Sequence, residues 1–423
     1  MVYYQRGGVT DRLTDEDLKV GLFFALDKIG MKKRVLAIPP DFTRFHSHAG
    51  LLTRFAWEYY QNSLTDVLPA IGTHHPMSDV EIQTMFPSVP RQLFRVHDWR
   101  NGTVTLGTIP ADFIQSVSEH KLNYSWPAQV ARLLVEGRYD LILSFGQVVP
   151  HEVAGMASYN KNIFVGTGGA ESINKSHFLG AAYGMEHIMG RADNPVRKVL
   201  NYATDHFAHH LPIVYVLTVV SRDQSGHLIV RGLFIGDDIE CFNLASELSL
   251  QVNFERLEKP LQKVIVYLEP GEYKSTWLGN KSIYRTRMAI ADGGELIVLA
   301  PGVRSFGEDK EIDRLIRKYG YVGSARILEM VQYNEELRQN LGVAAHLIHG
   351  SSEGRFAVIY CPGKLTREEV EAVGFRYSNY NQMIKKYPPS ELVDGFNTLP
   401  NGETIFFISN PALGLWSHKE RFA

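Results

Sequence analysis

Two histidines and a lysine share one glycine-rich stretch, from Pro150 to His177. His151 opens the stretch, Lys161 follows ten residues later, and His177 follows sixteen residues after that. Imidazoles exchange protons near neutral pH and bind metals, and an amine can attach a cofactor covalently or bind an anion. The stretch therefore predicts a bound metal or cofactor rather than a structural core segment.

A second polar group follows an earlier apolar run. Asp41, Thr43 and Arg44 come directly after residues 34–38 and two prolines. Arginine holds carboxylates or phosphates through two parallel hydrogen bonds. The group is thus a candidate substrate-binding site, although Asp41 and Arg44 are also compatible with a simple ion pair at a strand end.

His74 occupies the same kind of position as His151. It follows the apolar run 64–71 and a glycine, and His151 follows the run 139–145. Two facing imidazoles suit general acid–base catalysis, one giving and one taking a proton. Such a pair favours inversion at a carbon centre, where each face of the substrate needs its own base.

Apolar runs alternate with amphipathic helical segments along the chain, which predicts an α/β fold. Hydroxyl residues followed by acidic residues, at Thr14 and Ser78, indicate capped helix starts. The carboxyl ends of parallel strands meet at one edge of a sheet, so we expect the polar loops to gather there.

The chain is too long for one ordinary core, at 423 residues. Charged residues collect at 255–260 and end in a proline. We therefore predict two α/β domains, an N-terminal one at 1–258 with the cofactor and catalytic histidines, and a C-terminal one at 259–423 that contributes substrate-binding residues. The active site is expected in the cleft between them.

Composition excludes several classes of protein. A net charge of −2 and a pI of about 6.8 give no basic surface for nucleic acid or anionic membrane. No apolar run reaches the roughly 18–20 residues that span a bilayer, and Met1–Gly8 lacks a signal-peptide core. The two cysteines lie far apart and form no disulfide framework. We expect a cytoplasmic protein that binds neither nucleic acid nor membrane.

Taken in order, the motifs are similar to those of a known family. Asp-x-Thr-Arg, Gly-Thr-His-x-Pro-Met and His-x-x-Ala-Gly, with the spacings of ten and sixteen residues to Lys161 and His177, resemble the nickel-dependent lactate racemase family. The resemblance implies an isomerase that racemises or epimerises a small 2-hydroxy acid at C2. It also implies hydride transfer to and from a nickel-pincer nucleotide, which dedicated biosynthetic enzymes supply.

The resemblance assigns distinct roles to four residues. Lys161 would tether the cofactor through a thioamide, unless the cofactor binds noncovalently. His177 would be the protein ligand to nickel, in a planar site of the kind that Ni(II) favours. His74 and His151 would be the two acid–base catalysts.

Four further residues would surround them. Asp41 and Thr43 would help to hold the cofactor, and Arg44 would lie near the substrate carboxylate. Lys281, twelve residues before the first glycine of Gly293-Gly294, would supply a second cation. Lys281 is also compatible with a surface lysine at a helix start.

Three positions depart from the family pattern. His75 replaces an arginine, Phe45 replaces a proline, and Leu278 replaces a glutamine. The last departure lies among hydroxyl, amide and aromatic side chains: Tyr273, Ser275, Thr276, Trp277 and Asn280. Trp277 beside such groups suits a polyhydroxylated acid. We therefore predict an aldonic acid such as gluconate, with lactate or another short 2-hydroxy acid as the alternative.

Two other classes are compatible with parts of the sequence. A divalent-metal hydrolase could use the three histidines with Asp41, but it needs no lysine at position 161. A noncatalytic protein could cradle a phosphate in the run Gly166–Gly169, but that run lacks the Walker lysine and the dinucleotide spacing.

Overall fold

The structure is a computed structural model that describes residues 1–223, 226–412 and 414–422. The chain forms two compact units. The first comprises Met1–Ser176 and Met189–Asn253, and the second comprises His177–Ile188 and the chain from Phe254 onward. The sequence predicts a single boundary after residue 258, whereas the units change at residue 253 and the short segment 177–188 groups with the second unit. The predicted cleft between domains stays a prediction.

The first unit contains most of the candidate catalytic residues. Its strands are β1 (Val2–Gly7), β2 (Val35–Ile38), β3 (Leu64–Val67), β4 (Thr103–Ile109), β5 (Trp126–Ala131), β6 (Leu141–Gln147), β7 (Pro150–His151), β8 (Gly155–Met156), β9 (Ile213–Arg222) and β10 (Leu228–Gly236). Its helices are α1 (Asp15–Ile29), α2 (Ala49–Tyr60), α3 (Asp79–Met85), α4 (Ala111–Val117), α5 (Arg132–Glu136), α6 (Ala170–Tyr183, which continues into the second unit), α7 (Pro195–Ala203) and α8 (Ile239–Asn253).

The main sheet of this unit has the strand order β1-β10-β9-β6-β2-β3. Strands β3, β2, β6 and β9 run parallel, and β10 and β1 add an antiparallel edge. The polar loops after β2, β3 and β6 therefore leave the same edge of the sheet, as the sequence predicts. The α/β fold class is confirmed.

Apolar side chains from α1 and α2 cover one face of this sheet. Leu22 and Leu52 pack with Val35 and Leu143 in one buried cluster. Each fully buried leucine stabilises the fold by about 1.5–3 kcal/mol. Thr14 and Ser78 each form a capping box at a helix start, which confirms both predicted helix starts.

The second unit is a smaller α/β unit. Its strands are β11 (Phe254–Leu257), β12 (Leu261–Tyr267), β13 (Ile290–Ala300), β14 (Ala357–Pro362), β15 (Arg376–Tyr377), β16 (Gly395–Thr398), β17 (Thr404–Ile408) and β18 (Leu415–His418). Its helices are α9 (Thr276–Gly279), α10 (Lys281–Tyr284), α11 (Lys310–Tyr319), α12 (Ser324–Tyr333), α13 (Glu335–Gln339), α14 (Leu341–His349), α15 (Arg367–Ala372) and α16 (Tyr380–Lys386). The main sheet has the order β15-β14-β13-β12-β17-β16 and is parallel except for the β16–β17 pair.

One helix is shorter than the sequence indicates. The sequence pattern of residues 281–291 favours a helix, but α10 ends at Tyr284 and β13 begins at Ile290. Ile290 pairs with Leu261 of β12, and this sheet pairing overrides the local helical pattern. The sequence Asp-Gly-Gly at 292–294 is typical of a turn but lies inside β13. There Gly293 has a φ of 79° and donates its N–H to Arg355 O at 2.6 Å.

Three smaller sequence predictions concern the hairpin, the cysteines and membrane spans. Two apolar runs, 213–220 and 228–235, flank the turn-like sequence Asp-Gln-Ser-Gly and predict a hairpin. The β9–β10 pair confirms this hairpin, although Gln224 and Ser225 of the predicted turn lie outside the described residues. Cys241 and Cys361 are buried free thiols. Among the helices of the described residues, none is long and apolar enough to cross a membrane.

Candidate active site

Asp41 and His74 form the central contact of the site. Asp41 follows β2 and caps the 3-10 helix Phe42–Ser47 by accepting hydrogen bonds from Thr43 N at 3.1 Å and Thr43 Oγ1 at 2.5 Å. Its other oxygen, Oδ2, lies 2.5 Å from His74 Nδ1. Both carboxylate oxygens of this buried residue are therefore engaged.

The Asp41 carboxyl is held in its ionised form. Burial by itself raises the pKa of Asp41, but His74, Thr43 and the nearby Arg44 charge together lower it to about 2. An ionised carboxylate only accepts hydrogen bonds. In its neutral form His74 therefore carries its proton on Nδ1 and its lone pair on Nε2.

Backbone pairing beyond the strand ends brings these two residues together. Ala70 N donates to Pro39 O at 2.7 Å, which continues the β2–β3 ladder past both strands. Gly72, at a φ of 57°, donates its N–H to Gly166 O at 2.8 Å. The loop that bears His74 is thus fixed against β2 on one side and against the segment after Lys161 on the other.

His151 lies in the short β7–β8 hairpin and is 5% exposed. Its Nδ1 accepts hydrogen bonds from Val153 N at 3.1 Å and Ala154 N at 3.4 Å. Its Nε2 lies 3.9 Å from Glu152 Oε1. The imidazole therefore caps the turn of its own hairpin.

Lys161 precedes the π-helix Asn162–Gly166 and is partly buried. Desolvation first, and then the positive charge of Arg44, lower the pKa of Lys161 to about 8, against the opposing charges of Glu152 and Asp41. Because the charges of Asp41 and Arg44 act on the amine, Lys161 belongs to the same electrostatic cluster as these two residues. At pH 7 about one-tenth of an amine with this pKa is neutral, far more than of an ordinary lysine, and the neutral form is the nucleophile.

Arg44 provides the positive charge of the cluster. Its backbone departs from helical geometry, at φ −113° and ψ 29°. Its Nη1 atom is buried and has no hydrogen-bond partner among the described residues. Buried guanidinium donors are nearly always satisfied, so this atom indicates an anionic ligand.

The backbone before Lys161 is strained. Ser158 and Tyr159 have φ values of 66° and 57°, in the left-handed region that non-glycine residues rarely adopt. Ser158 Oγ donates to Gln147 O at 2.8 Å, and Asn162 Nδ2 donates to Phe145 O at 2.8 Å. The end of β6 therefore holds the segment that positions Lys161.

Arg197, which the sequence interpretation missed, supports the same segment. This residue of α7 is 1% exposed and donates to Asn160 Oδ1 at 2.5 Å and Met156 O at 2.6 Å. Its guanidinium carbon lies 4.3 Å from the ring centroid of Phe242. The sequence offers one sign that Arg197 is buried. It lies in an amphipathic helix beside the apolar residues Val196, Val199 and Leu200, which are buried in the structure.

The glycine run 166–169 is packed against protein atoms. A Cβ on Gly168 would lie 2.0 Å from Phe164 O, and one on Gly169 would lie 2.4 Å from Gln129 Oε1. Thr167 Oγ1 donates to Ile163 O at 2.7 Å. The glycines are therefore explained by close chain packing, and the phosphate-cradle interpretation gains no support.

The remaining predicted residues, His177, Trp277 and Lys281, belong to the second unit. His177 is a partly buried residue of α6. Lys281 is 5% exposed, so it is no surface lysine, and its Nζ lies 5.9 Å from the Tyr273 ring centroid. Within residues 1–223, 226–412 and 414–422, no three His, Cys, Asp or Glu side chains are grouped so that they could hold a metal.

Trp277 is held by an aromatic and polar cluster. Its ring stacks on His346 at 4.5 Å and 26°. Thr276 Oγ1 donates to Phe306 O at 2.9 Å and lies 2.9 Å from the Tyr321 hydroxyl, which lies 2.8 Å from His346 Nε2. Because Thr276 uses its proton on Phe306, Tyr321 donates to Thr276 and His346 Nε2 donates to Tyr321.

Comparison with known proteins gives a match to one family model and matches to solved structures. Residues 25–187 match the family model of the lactate racemase N-terminal domain. This stretch, less than half of the chain, includes Asp41, His74, His151, Lys161 and His177. A search of curated proteins finds no significant match.

Two solved structures share the fold. A crystal structure of a Thermotoga maritima protein, a structural genomics target, matches with a TM-score of 0.84 at 25% identity, over 98% of this chain and 100% of that one. The lactate racemase apoprotein from Thermoanaerobacterium thermosaccharolyticum matches with a TM-score of 0.70 at 18% identity, over 98% and 94% of the two chains. The fold is therefore that of a lactate racemase apoprotein along nearly the whole chain.

Proposed function

We propose that the protein is a 2-hydroxy-acid racemase or epimerase that works with a nickel-pincer nucleotide. One observation carries the proposal: the Asp41–His74 pair shares an electrostatic cluster with the low-pKa amine of Lys161. This cluster lies within the stretch that matches the lactate racemase N-terminal domain. A base, a nucleophilic amine and the cation of Arg44 are the groups that the reaction requires.

The cofactor is matched by two residues of the first unit, Lys161 and Arg44, and by His177 of α6. Lys161 would hold it covalently, because a partly neutral amine can form a thioamide, or would bind its anionic groups without a bond. The buried Nη1 of Arg44 offers an unused donor to an anion. His177 would supply an imidazole ligand of the kind that suits Ni(II). When bound, the group accepts a hydride from C2 of the substrate and returns it.

The protein's own side chains handle charge and protons. His74 Nε2 is the basic atom, because Asp41 fixes the proton on Nδ1. Arg44 and Lys281 would bind the substrate carboxylate, which neutralises the anion without contact at C2. His151 would face the substrate oxygen through Nε2.

Two findings bear on the substrate. The Thr276 hydroxyl is committed to Phe306 and Tyr321, and the Ser275 hydroxyl donates to Glu308, so neither supports recognition of a polyhydroxylated acid. Trp277 is partly exposed and held rigidly by His346, which suits stacking on a sugar-like face. The aldonate proposal therefore rests on Trp277, and a short acid such as lactate is the alternative.

Intact mass and metal content test the cofactor. The protein would be produced with the enzymes of nickel-pincer nucleotide biosynthesis, which are its proposed partners. We expect nickel and a mass increase on the Lys161 peptide, and Lys161→Ala should lose the covalent mass. Lys198→Ala, at a half-exposed lysine of the same unit, is the matched control. Bound zinc without any cofactor would favour a metal hydrolase and overturn the proposal.

A turnover assay with single enantiomers tests the substrate. Gluconate and other aldonates would be compared with lactate by following C2 inversion. Trp277→Ala should reduce kcat/KM for aldonates more than for lactate. A wild-type protein that inverts lactate faster than every aldonate would overturn the aldonate proposal and leave the racemase proposal standing.

A further inference from the structure

Glu152 is the charged residue of the turn that follows His151. The turn joins β7 to β8 and comprises residues 152–154. Val153 and Ala154 are buried, and their N–H groups donate to His151 Nδ1. The Glu152 side chain is only 15% exposed. Because charged side chains of turns normally extend into solvent, a carboxylate placed here is not explained by solubility.

The Glu152 carboxylate lies beside the reactive nitrogen of His151. Its Oε1 atom is 3.9 Å from His151 Nε2, which is beyond hydrogen-bond distance. The hairpin backbone engages Nδ1, so Nε2 is the nitrogen that faces Glu152. A substrate oxygen held by Nε2 would therefore lie at the same edge of the imidazole ring as this carboxylate.

Glu152 also belongs to the electrostatic cluster of the site. Burial lowers the pKa of Lys161, and the negative charges of Glu152 and Asp41 oppose that shift. Glu152 is thus near enough to the amine for its charge to act there. A negative charge at this place disfavours a substrate that brings a second anionic group to it.

We propose that Glu152 determines specificity by accepting a hydrogen bond from the substrate hydroxyl next to the reacting carbon and by repelling a second carboxylate. The inference rests on the proposed function and narrows its substrate class to 2-hydroxy acids with a hydroxyl at C3, as in aldonates. An ionised carboxylate only accepts hydrogen bonds, so it suits a hydroxyl donor. A site that bonds a substrate hydroxyl discriminates against an analogue without it. Lactate lacks that hydroxyl, and malate carries a carboxylate on C3 instead.

Kinetics of Glu152→Leu and Glu152→Gln in the cofactor-loaded protein test this role. The measured quantity is kcat/KM for inversion of gluconate, lactate and malate at C2. Glu152→Leu should reduce the ratio of gluconate to lactate by about 10–100-fold, because a hydrogen bond to a charged group is lost. Glu152→Gln keeps an acceptor oxygen without the charge, so this ratio should fall less and the ratio of malate to lactate should rise. Glu136→Gln, at an exposed glutamate of α5, is the matched control and should change neither ratio.

Equal losses for gluconate and lactate would show that Glu152 only supports the hairpin, and would overturn the inference. A wild-type protein that inverts lactate but not gluconate would overturn it as well. Loaded wild-type protein that inverts no 2-hydroxy acid would instead refute the proposed function, on which the inference rests.

The cofactor-free protein offers a check that is independent of turnover. Glu152→Gln should lower the pH at which Lys161 reaches half of its maximal reactivity toward an acylating reagent, because a nearby negative charge is removed. Glu136→Gln should leave that pH unchanged. The same value in Glu152→Gln and wild type would show that Glu152 does not face the site, and would contradict the inference.

Discussion

Asp41 Oδ2 and His74 Nδ1 lie 2.5 Å apart although 33 residues separate them in the chain. The contact follows from the parallel pairing of β2 and β3, which backbone hydrogen bonds continue beyond the ends of both strands. The hydrogen-bonded pair is thus built by the sheet before any ligand binds. The charge of Asp41 makes its contribution to stability measurable in the cofactor-free protein.

Asp41→Asn should lower the free energy of unfolding at neutral pH by on the order of 2 kcal/mol. The folded state lowers the pKa of Asp41 to about 2, so its charge stabilises the fold above about pH 4. That contribution is lost as the pH falls toward 2. Urea unfolding should be measured from about pH 7 to about pH 3. The difference in free energy of unfolding between wild type and variant should shrink as the pH falls. Thr43→Val removes one hydrogen bond to the carboxylate and should reduce the free energy of unfolding by less. A difference between wild type and Asp41→Asn that does not change with pH would contradict the lowered pKa of Asp41.

Lys161 should react with acylating reagents at lower pH than other lysines. Its pKa is lowered to about 8, whereas Glu258 raises the pKa of the exposed Lys419. Competitive labelling with peptide mass spectrometry gives a labelling midpoint, the pH at which a lysine reaches half of its maximal reactivity. This midpoint should lie near pH 8 for Lys161 and well above it for Lys419. Arg44→Gln should move the Lys161 midpoint upward, because a nearby positive charge is removed. An unchanged midpoint would show that Arg44 does not act on the amine.

Arg197→Met should destabilise the first unit by about 1–3 kcal/mol. The change leaves Asn160 Oδ1 and Met156 O without the donors that they now use. The Lys161 midpoint should rise as well, because Arg197 is one of the charges that lower its pKa. Arg326→Met is the control, since Arg326 is more than half exposed and pairs only with Glu329 in the described structure. Equal unfolding curves for both variants would rule out a supporting role for Arg197.

Tyr321→Phe should destabilise the second unit by about 1–3 kcal/mol through loss of two buried hydrogen bonds. The hydroxyl links Thr276 to His346, on which Trp277 stacks. Near-ultraviolet circular dichroism should therefore change along with Tm. Tyr333→Phe, at a residue that is 81% exposed, should change neither. A Tyr321→Phe protein with wild-type Tm and spectrum would contradict the linkage.

The sequence predicts the strand-end residues well because their placement follows a local rule. Asp41 and His74 each follow an apolar run, and parallel strands bring such positions to one edge. The direction of a side chain in a short segment depends on tertiary packing instead. Ser275 and Thr276 therefore suggested a substrate pocket although they bond within the unit. Arg197 escaped notice because a buried cation held by carbonyl and amide oxygens has no sequence motif.

The segment His177–Ile188 belongs to the second unit but is synthesised with the first. Glu186 in this segment accepts a 3.0 Å hydrogen bond from Arg287, whose side chain is only 7% exposed. Arg287 leaves the ribosome 101 residues later, so the two units cannot fold as separate, successive products of translation. A fragment that begins at residue 254 would lose this ion pair. Tests of the second unit therefore need the whole chain.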